Sequence, residues 1–247
     1  MTIPPAFFLP GWGFGCGPLK AALAAQSRWQ CVDLPGCDAL AGANASVNTD
    51  APPAHFAAAV EALLAALPPV CALGGWSLGG MLALAAAEIA PERIRALFLV
   101  GATPSFLQRE GWPYGRPPLE LKSFQEKIRK EGAALLPRFA GSFCRGDAHP
   151  QTAQWLVQNA SPMPQAALDA GLVWLAEADL RAALSRVTCP VTLMHGENDP
   201  LIPVAAARWL ARRLPESRLV LIPGKAHAPF APDAPANARF LRELPFP

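Results

Sequence analysis

Short apolar runs alternate with longer amphipathic or alanine-rich stretches along most of this chain. The runs near 6–9, 29–33, 70–75, 95–101, 190–195 and 218–223 predict buried strands. Residues 53–67 set Phe56, Val60, Leu63, Leu64 and Leu67 on one face of a helix, and Asp50 followed by Pro52 and Pro53 suits its start. The Ala- and Leu-rich run 80–89 is helical by propensity, and 204–214 and 234–244 are further helical candidates. Strands alternating with helices predict an α/β architecture, a mostly parallel sheet of about six strands with helices on both faces. The segment 104–186 breaks the alternation. It carries helical periods over 119–143, 152–158 and 166–184 and no convincing strand, so it reads as a helical cap inserted after the fourth strand. The division expected is a core of 1–103 and 187–247 with a lid of 104–186.

Gly75-Trp76-Ser77-Leu78-Gly79 falls between the strand near 70–75 and the helix at 80–89. Strand, G-x-S-x-G and helix together describe a nucleophile elbow, whereas the pentapeptide alone could be a Gly/Ser turn. A serine there needs a base, and the base needs a carboxylate to orient it. The order Ser, Asp or Glu, His is met by Ser77, Asp199 in the loop after the strand 190–195, and His227 in the loop after 218–223. All three sit at strand carboxyl ends, where sites of open α/β sheets assemble. Glu197 shares the acid's loop and is its rival; Asp33 lies in the wrong chain order. Among the other histidines, His55 and His149 read as solvated, and His195 as a packed or hydrogen-bonded neighbour of the site.

An oxyanion hole needs two N–H donors, and the residue after the serine, Leu78, supplies one. The Gly-rich loop Pro10-Gly11-Trp12-Gly13-Phe14-Gly15 supplies the other through Trp12, whose indole would roof an acyl pocket. These glycines do not fit a dinucleotide fingerprint. A chain of 247 residues, 52% hydrophobic and 16% charged, can bury a large single core. A net charge of +2 argues against nucleic-acid binding as the main role. The six cysteines show no metal or redox spacing, and neither metal nor organic cofactor is expected. With no signal peptide or membrane span in the pattern, the expected setting is cytoplasmic.

Several motifs give the chain a family likeness: Gly11-Trp12-Gly13, Val32-Asp33-Leu34-Pro35-Gly36, Gly75-Trp76-Ser77-Leu78-Gly79-Gly80, Gly171-Leu172, Asp179-Leu180-Arg181 and Ala226-His227-Ala228-Pro229-Phe230. It resembles the α/β-hydrolases, and within them the pimeloyl-[acyl-carrier protein] methyl ester esterases of biotin synthesis. The resemblance implies Ser77 as nucleophile, Asp199 as acid, His227 as base, and Trp12 and Leu78 as oxyanion donors. It implies a substrate site of Trp12, Ser77, Leu78, Phe139, Phe143 and His227, in which Arg138-Phe139 and the turn to Phe143 line an acyl channel. The implied substrate is an ester carried on acyl-carrier protein, hydrolysed by a monomer. Pro10 stands where the family usually has His, and the sequence after Phe139 diverges. A general carboxylesterase or thioesterase, a cofactor-free haloperoxidase, a carbon–carbon hydrolase and a non-catalytic small-molecule receptor remain open alternatives. Carrier proteins are acidic, and residues 116–145 hold seven basic against three acidic side chains. Arg129, Lys130, Arg138 and Arg145 are the candidate docking residues; the alternative is a solvated helix face.

Overall fold

A computed structural model describes residues 4–23, 28–37 and 51–231. Six strands form one sheet: β1 (Ala6–Leu9), β2 (Trp29–Cys31), β3 (Cys71–Trp76), β4 (Ile94–Val100), β5 (Val191–Gly196) and β6 (Ser217–Ile222). Their order is β2-β1-β3-β4-β5-β6, and every neighbouring pair is parallel. The α-helices are α1 (Gly17–Leu23), α2 (Phe56–Ala66), α3 (Leu78–Ile89), α4 (Pro118–Glu131), α5 (Leu136–Phe143), α6 (Thr152–Asn159), α7 (Gln165–Glu177) and α8 (Val204–Ala211).

The continuous apolar strands reflect two cores. Phe7, Leu9, Leu73, Leu97 and Leu99 point to one face and pack with Val60 and Leu63 of α2 and Met81 of α3. Phe8, Ala72, Phe98 and Val100 point to the other and pack with Leu19 of α1 and Phe230. Each such Leu or Phe, fully buried, contributes roughly 1.5–3 kcal/mol. The chain runs from β1 outward to β2, then back to β3 and onward to β6, so the direction of winding reverses between β1 and β3. The crevice at that reversal is where open α/β sheets bind ligands. The Gly-rich loop after β1 and Ser77 after β3 both stand there.

Boundaries depart from the sequence pattern at several points. Helix α2 begins at Phe56 rather than 53, because His55 is extended and the Phe56 N–H is taken by Glu177 of α7 at 2.8 Å. Helix α1 was not expected: seven residues are too few to show a period. The expected helix over 166–184 ends at Glu177, where Ala178 turns extended and the Arg109 guanidinium takes the Ala176 and Glu177 carbonyls. The stretch 119–143 is broken by Gly132 at φ 57° and restarts as α5 at Leu136, with Pro137 in the first turn. The expected turn to Phe143 is therefore the last part of a helix. Helices α4 to α7 all lie between β4 and β5, where the only β pairing among the described residues is three isolated bridges. The candidate helix 234–244 and the proposed start at Asp50 lie outside the described residues. Among those residues, no helix is long and apolar enough to cross a membrane.

Candidate active site

Ser77 links β3 to α3 at φ 55° and ψ −118°, the only non-glycine residue at positive φ among those described. The turn is this tight because its flanks are glycines. A Cβ on Gly75 would lie 2.2 Å from the Gly79 backbone, and one on Gly79 would lie 2.5 Å from the Pro10 carbonyl oxygen. The Ser77 N–H donates to Val100 O at 2.9 Å, which fixes the elbow to the end of β4. Ser77 Oγ is 2.9 Å from His227 Nε2, and His227 Nδ1 is 2.6 Å from Asp199 Oδ2. A carboxylate accepts, so Nδ1 carries the imidazole hydrogen and Nε2 faces the hydroxyl with a free lone pair.

Asp199 is held from the other side as well. Its Oδ1 accepts the N–H groups of Leu201 and Ile202, both at 2.9 Å. Burial works to raise its carboxyl. The neighbouring imidazole and hydrogen bond of His227, the imidazole of His195 and the Ile202 N–H together outweigh burial and hold the carboxyl below the usual range. His195 Nε2 lies 2.8 Å from Ile202 O and 3.4 Å from Asp199 Oδ2. A carbonyl only accepts, so His195 donates from Nε2, and burial holds its imidazole below the ordinary range. Glu197 is exposed and stands apart from this row. Asp33 Oδ1 instead accepts the Cys16 N–H at 2.7 Å and braces the loop after β1. His55 is exposed, as its solvated reading requires, but its Nδ1 also meets Glu177 Oε1 at 2.9 Å.

The oxyanion candidates lie in the loop after β1 and at the first residue of α3. The Leu78 N–H belongs to the first turn of α3, which has no intrahelical acceptor. The Trp12 main-chain N–H has no acceptor among the described residues, while its indole Nε1 donates to Leu168 O of α7 at 2.8 Å. Beside Ser77 opens a cavity of about 420 Å³. Trp12, Phe14, Phe124, Phe139, Phe143 and Leu172 supply much of its apolar wall. Arg116, Glu120, Lys127, Glu131 and Arg138 also line it. Arg138 pairs with Glu131 and Arg116 with Glu120. Of the four docking candidates only Arg138 reaches the cavity; Arg129, Lys130 and Arg145 are exposed elsewhere on the helical segment. No group of three metal-ligating side chains occurs among the described residues.

The contacts of three contributors escaped the sequence reading. Trp76 Nε1 donates to His227 O at 2.9 Å, and its ring lies 5.9 Å from the imidazole. Gly101, at φ 52°, leaves room for the His227 ring: a Cβ there would come within 3.2 Å of its Cε1. Gly171 of α7 does the same for Trp12, with a Cβ falling 2.6 Å from the indole Cδ1. Only the tryptophan beside the serine and the Gly171-Leu172 pair were visible as motif pieces.

Residues 6–239 match the Alpha/beta hydrolase family. The chain belongs to that family. Among relatives of this hydrolase, a pimeloyl-[acyl-carrier protein] methyl ester esterase of Nitrosospira multiformis is 34% identical over 242 residues, covering 92% of this chain and 89% of that protein. One of the same name from Aromatoleum aromaticum is 37% identical, covering 93% of each. An esterase from Exiguobacterium antarcticum superposes with a TM-score of 0.79 at 20% identity, covering 98% of this chain and 91% of that one, a likeness of fold.

Proposed function

We propose that this hydrolase cleaves the methyl ester of pimeloyl-[acyl-carrier protein], giving pimeloyl-[acyl-carrier protein] and methanol for biotin synthesis. The observation that carries the reading is the hydrogen-bonded row Ser77–His227–Asp199 opening onto an apolar cavity. Relatives bearing that name, at 34–37% identity over nearly the whole chain, supply the substrate. His227 Nε2 takes the Ser77 proton as Oγ attacks the ester carbonyl, and Asp199 stabilises the imidazolium that forms. The Trp12 and Leu78 N–H groups receive the oxyanion. The carbon–oxygen bond to the methoxy group then breaks, His227 protonates the departing methoxide to methanol, and the acyl group stays on Ser77 Oγ as the acyl-enzyme. Water attacks that acyl group, giving one proton to His227, which returns it to Ser77 as the carboxylic acid leaves and ionises in solvent. In this reading helices α4 to α7 form a lid over the core, and their aromatic wall with Phe139 and Phe143 holds the pimeloyl chain. The protein acts as a cytoplasmic monomer on a carrier-protein partner.

The test is hydrolysis of purified pimeloyl-[acyl-carrier protein] methyl ester, with rescue of a biotin auxotroph lacking its own esterase. Ser77→Ala should fail in both. A wild-type protein that cleaves small esters but neither the carrier-bound ester nor the growth defect would reduce the assignment to a carboxylesterase of other substrate.

A further inference from the structure

The mechanism leaves one buried lysine without a task. Lys225 stands two residues before His227 and is only 2% exposed. Its Nζ lies 3.3 Å from Asp147 Oδ1 and donates to Ala231 O at 2.9 Å. Asp147 belongs to the connection between α5 and α6, on the helical segment rather than on the sheet. Its carboxylate also accepts the His149 N–H at 2.8 Å and the Ala226 N–H at 3.1 Å. The contact continues along the backbone: Ala148 N–H donates to Gly224 O at 2.6 Å, and His227 N–H to Phe143 O at 3.4 Å. Asn198, beside the acid, donates from its side chain to Gly146 O at 2.8 Å and from its N–H to Lys225 O at 2.9 Å. Residues 143–148 therefore bind the loop of the base and the loop of the acid together.

Stability is a weak reason for this arrangement. Taking an ammonium and a carboxylate out of water is costly, and apolar side chains of the same volume commonly do as well. Position is what the pair supplies that apolar packing does not. The Asp147 carboxylate grips both the ammonium and the N–H of Ala226, the residue next to His227, and hydrogen-bond direction fixes that peptide's orientation. We propose that Asp147 and Lys225 are positioning residues for His227, a joint through which the helical segment sets the base against Ser77. The proposal rests on the reading of His227 as the general base. It makes the cavity wall at Phe143 and the base one mechanical unit, since both hang from the same short connection.

The experiment compares Lys225→Met, Asp147→Asn and the double variant, measuring kcat and KM on p-nitrophenyl butyrate together with Tm. Lys225→Met leaves the buried Asp147 carboxylate without its ammonium and should lower Tm, and Asp147→Asn should lower it too by removing the carboxylate that the Lys225 ammonium and the Ala226 N–H meet. The double change removes both charges and should recover much of that loss. Its kcat should nevertheless stay at least about tenfold below wild type, since a small misplacement of a catalytic group is costly. KM should remain within about twofold, as nothing in the joint touches substrate. Should the double variant fail to fold, Asp147→Glu keeps the charge pair while displacing the grip on Ala226, and the same fall in kcat is expected. Recovery of kcat in step with Tm, or an unchanged kcat in Asp147→Glu, would overturn the proposal. His227→Ala is the separate control: activity surviving there would sink the assignment of the base, whatever the joint does.

Discussion

Asp199 must stay charged at a place where burial works against it, and the residues around it show how that is achieved. Two backbone N–H groups and two imidazoles face its oxygens. Asp199→Asn keeps the shape but lets His227 take the wrong tautomer, so kcat should fall by about 10³-fold or more. Glu197→Gln, at an exposed position, should stay within about twofold of wild type. Steady-state kinetics on a p-nitrophenyl ester decide it; a crippled Glu197→Gln would reverse the assignment of the acid. His195 carries a second prediction. Burial holds its imidazole below the ordinary 6.5, against the pull of Asp199 and the Ile202 carbonyl. The unfolded chain takes up a proton near 6.5 and the folded one only at lower pH, so the folded state loses stability as pH falls below about 6.5. His195→Asn should flatten the decline of Tm from about pH 7.5 to about pH 5.5. Identical slopes in the two proteins would refute it. That Ser77, Asp199 and His227 meet was legible, because strand ends and chain order bring them to one edge of the sheet. Lys225, Asp147 and Gly101 were not, because their roles depend on contacts between stretches far apart in the chain.

At the scale of elements, β3, β4 and β5 were legible to within a residue or two, since strands buried on both faces leave unbroken apolar runs. The edge strands β2 and β6 were legible to the same precision, although β2 is only three residues long with an exposed Gln30; α1, which spans two turns, was not. What no pattern showed is how closely α7 grips the loop after β1, which carries the proposed oxyanion donor Trp12. Leu168 O takes the Trp12 indole N–H, and Gly171 lies against the same ring. Phe124 and Phe139 hold that ring edge-on, each with centroids 5.4 Å away, so it has little freedom to retreat. Gly171→Ala should therefore push on Trp12 and tilt its main-chain N–H. A misaligned oxyanion donor should lower kcat by roughly 10- to 100-fold, somewhat less than deleting one. Overpacking should cost about 1–3 kcal/mol of stability. p-Nitrophenyl acetate is the substrate to use, because its short acyl group scarcely fills the cavity and KM should change little. A lower Tm with wild-type kcat would separate α7 from the oxyanion loop.

Over the whole molecule, charge is unevenly placed. Residues 116–145 carry an excess of four positive charges, while the net charge of the chain is +2, leaving the remainder two units negative. That imbalance was legible in the sequence; which cations are free was not, because ion pairing depends on how helices turn. Arg116 and Arg138 are engaged with Glu120 and Glu131. Lys122, Lys127, Arg129, Lys130 and Arg145 are exposed and have no ion-pair partner among the described residues. A solvated helix face and a docking surface for an acidic carrier protein would look alike in this respect, but they respond differently to salt. Steering of an acidic partner weakens as the Debye length shortens, from about 10 Å at 0.1 M ionic strength to about 3 Å at 1 M. The kcat/KM for a carrier-bound ester should therefore fall steeply with added salt, while that for a small neutral ester should barely change. Arg129→Glu combined with Arg145→Glu should reproduce the split at low salt. These two are better choices than Arg138, whose reversal would also break an ion pair and alter the cavity wall. Equal salt dependence for both substrates would take the helical segment out of carrier-protein docking and leave its charge as that of a solvated face.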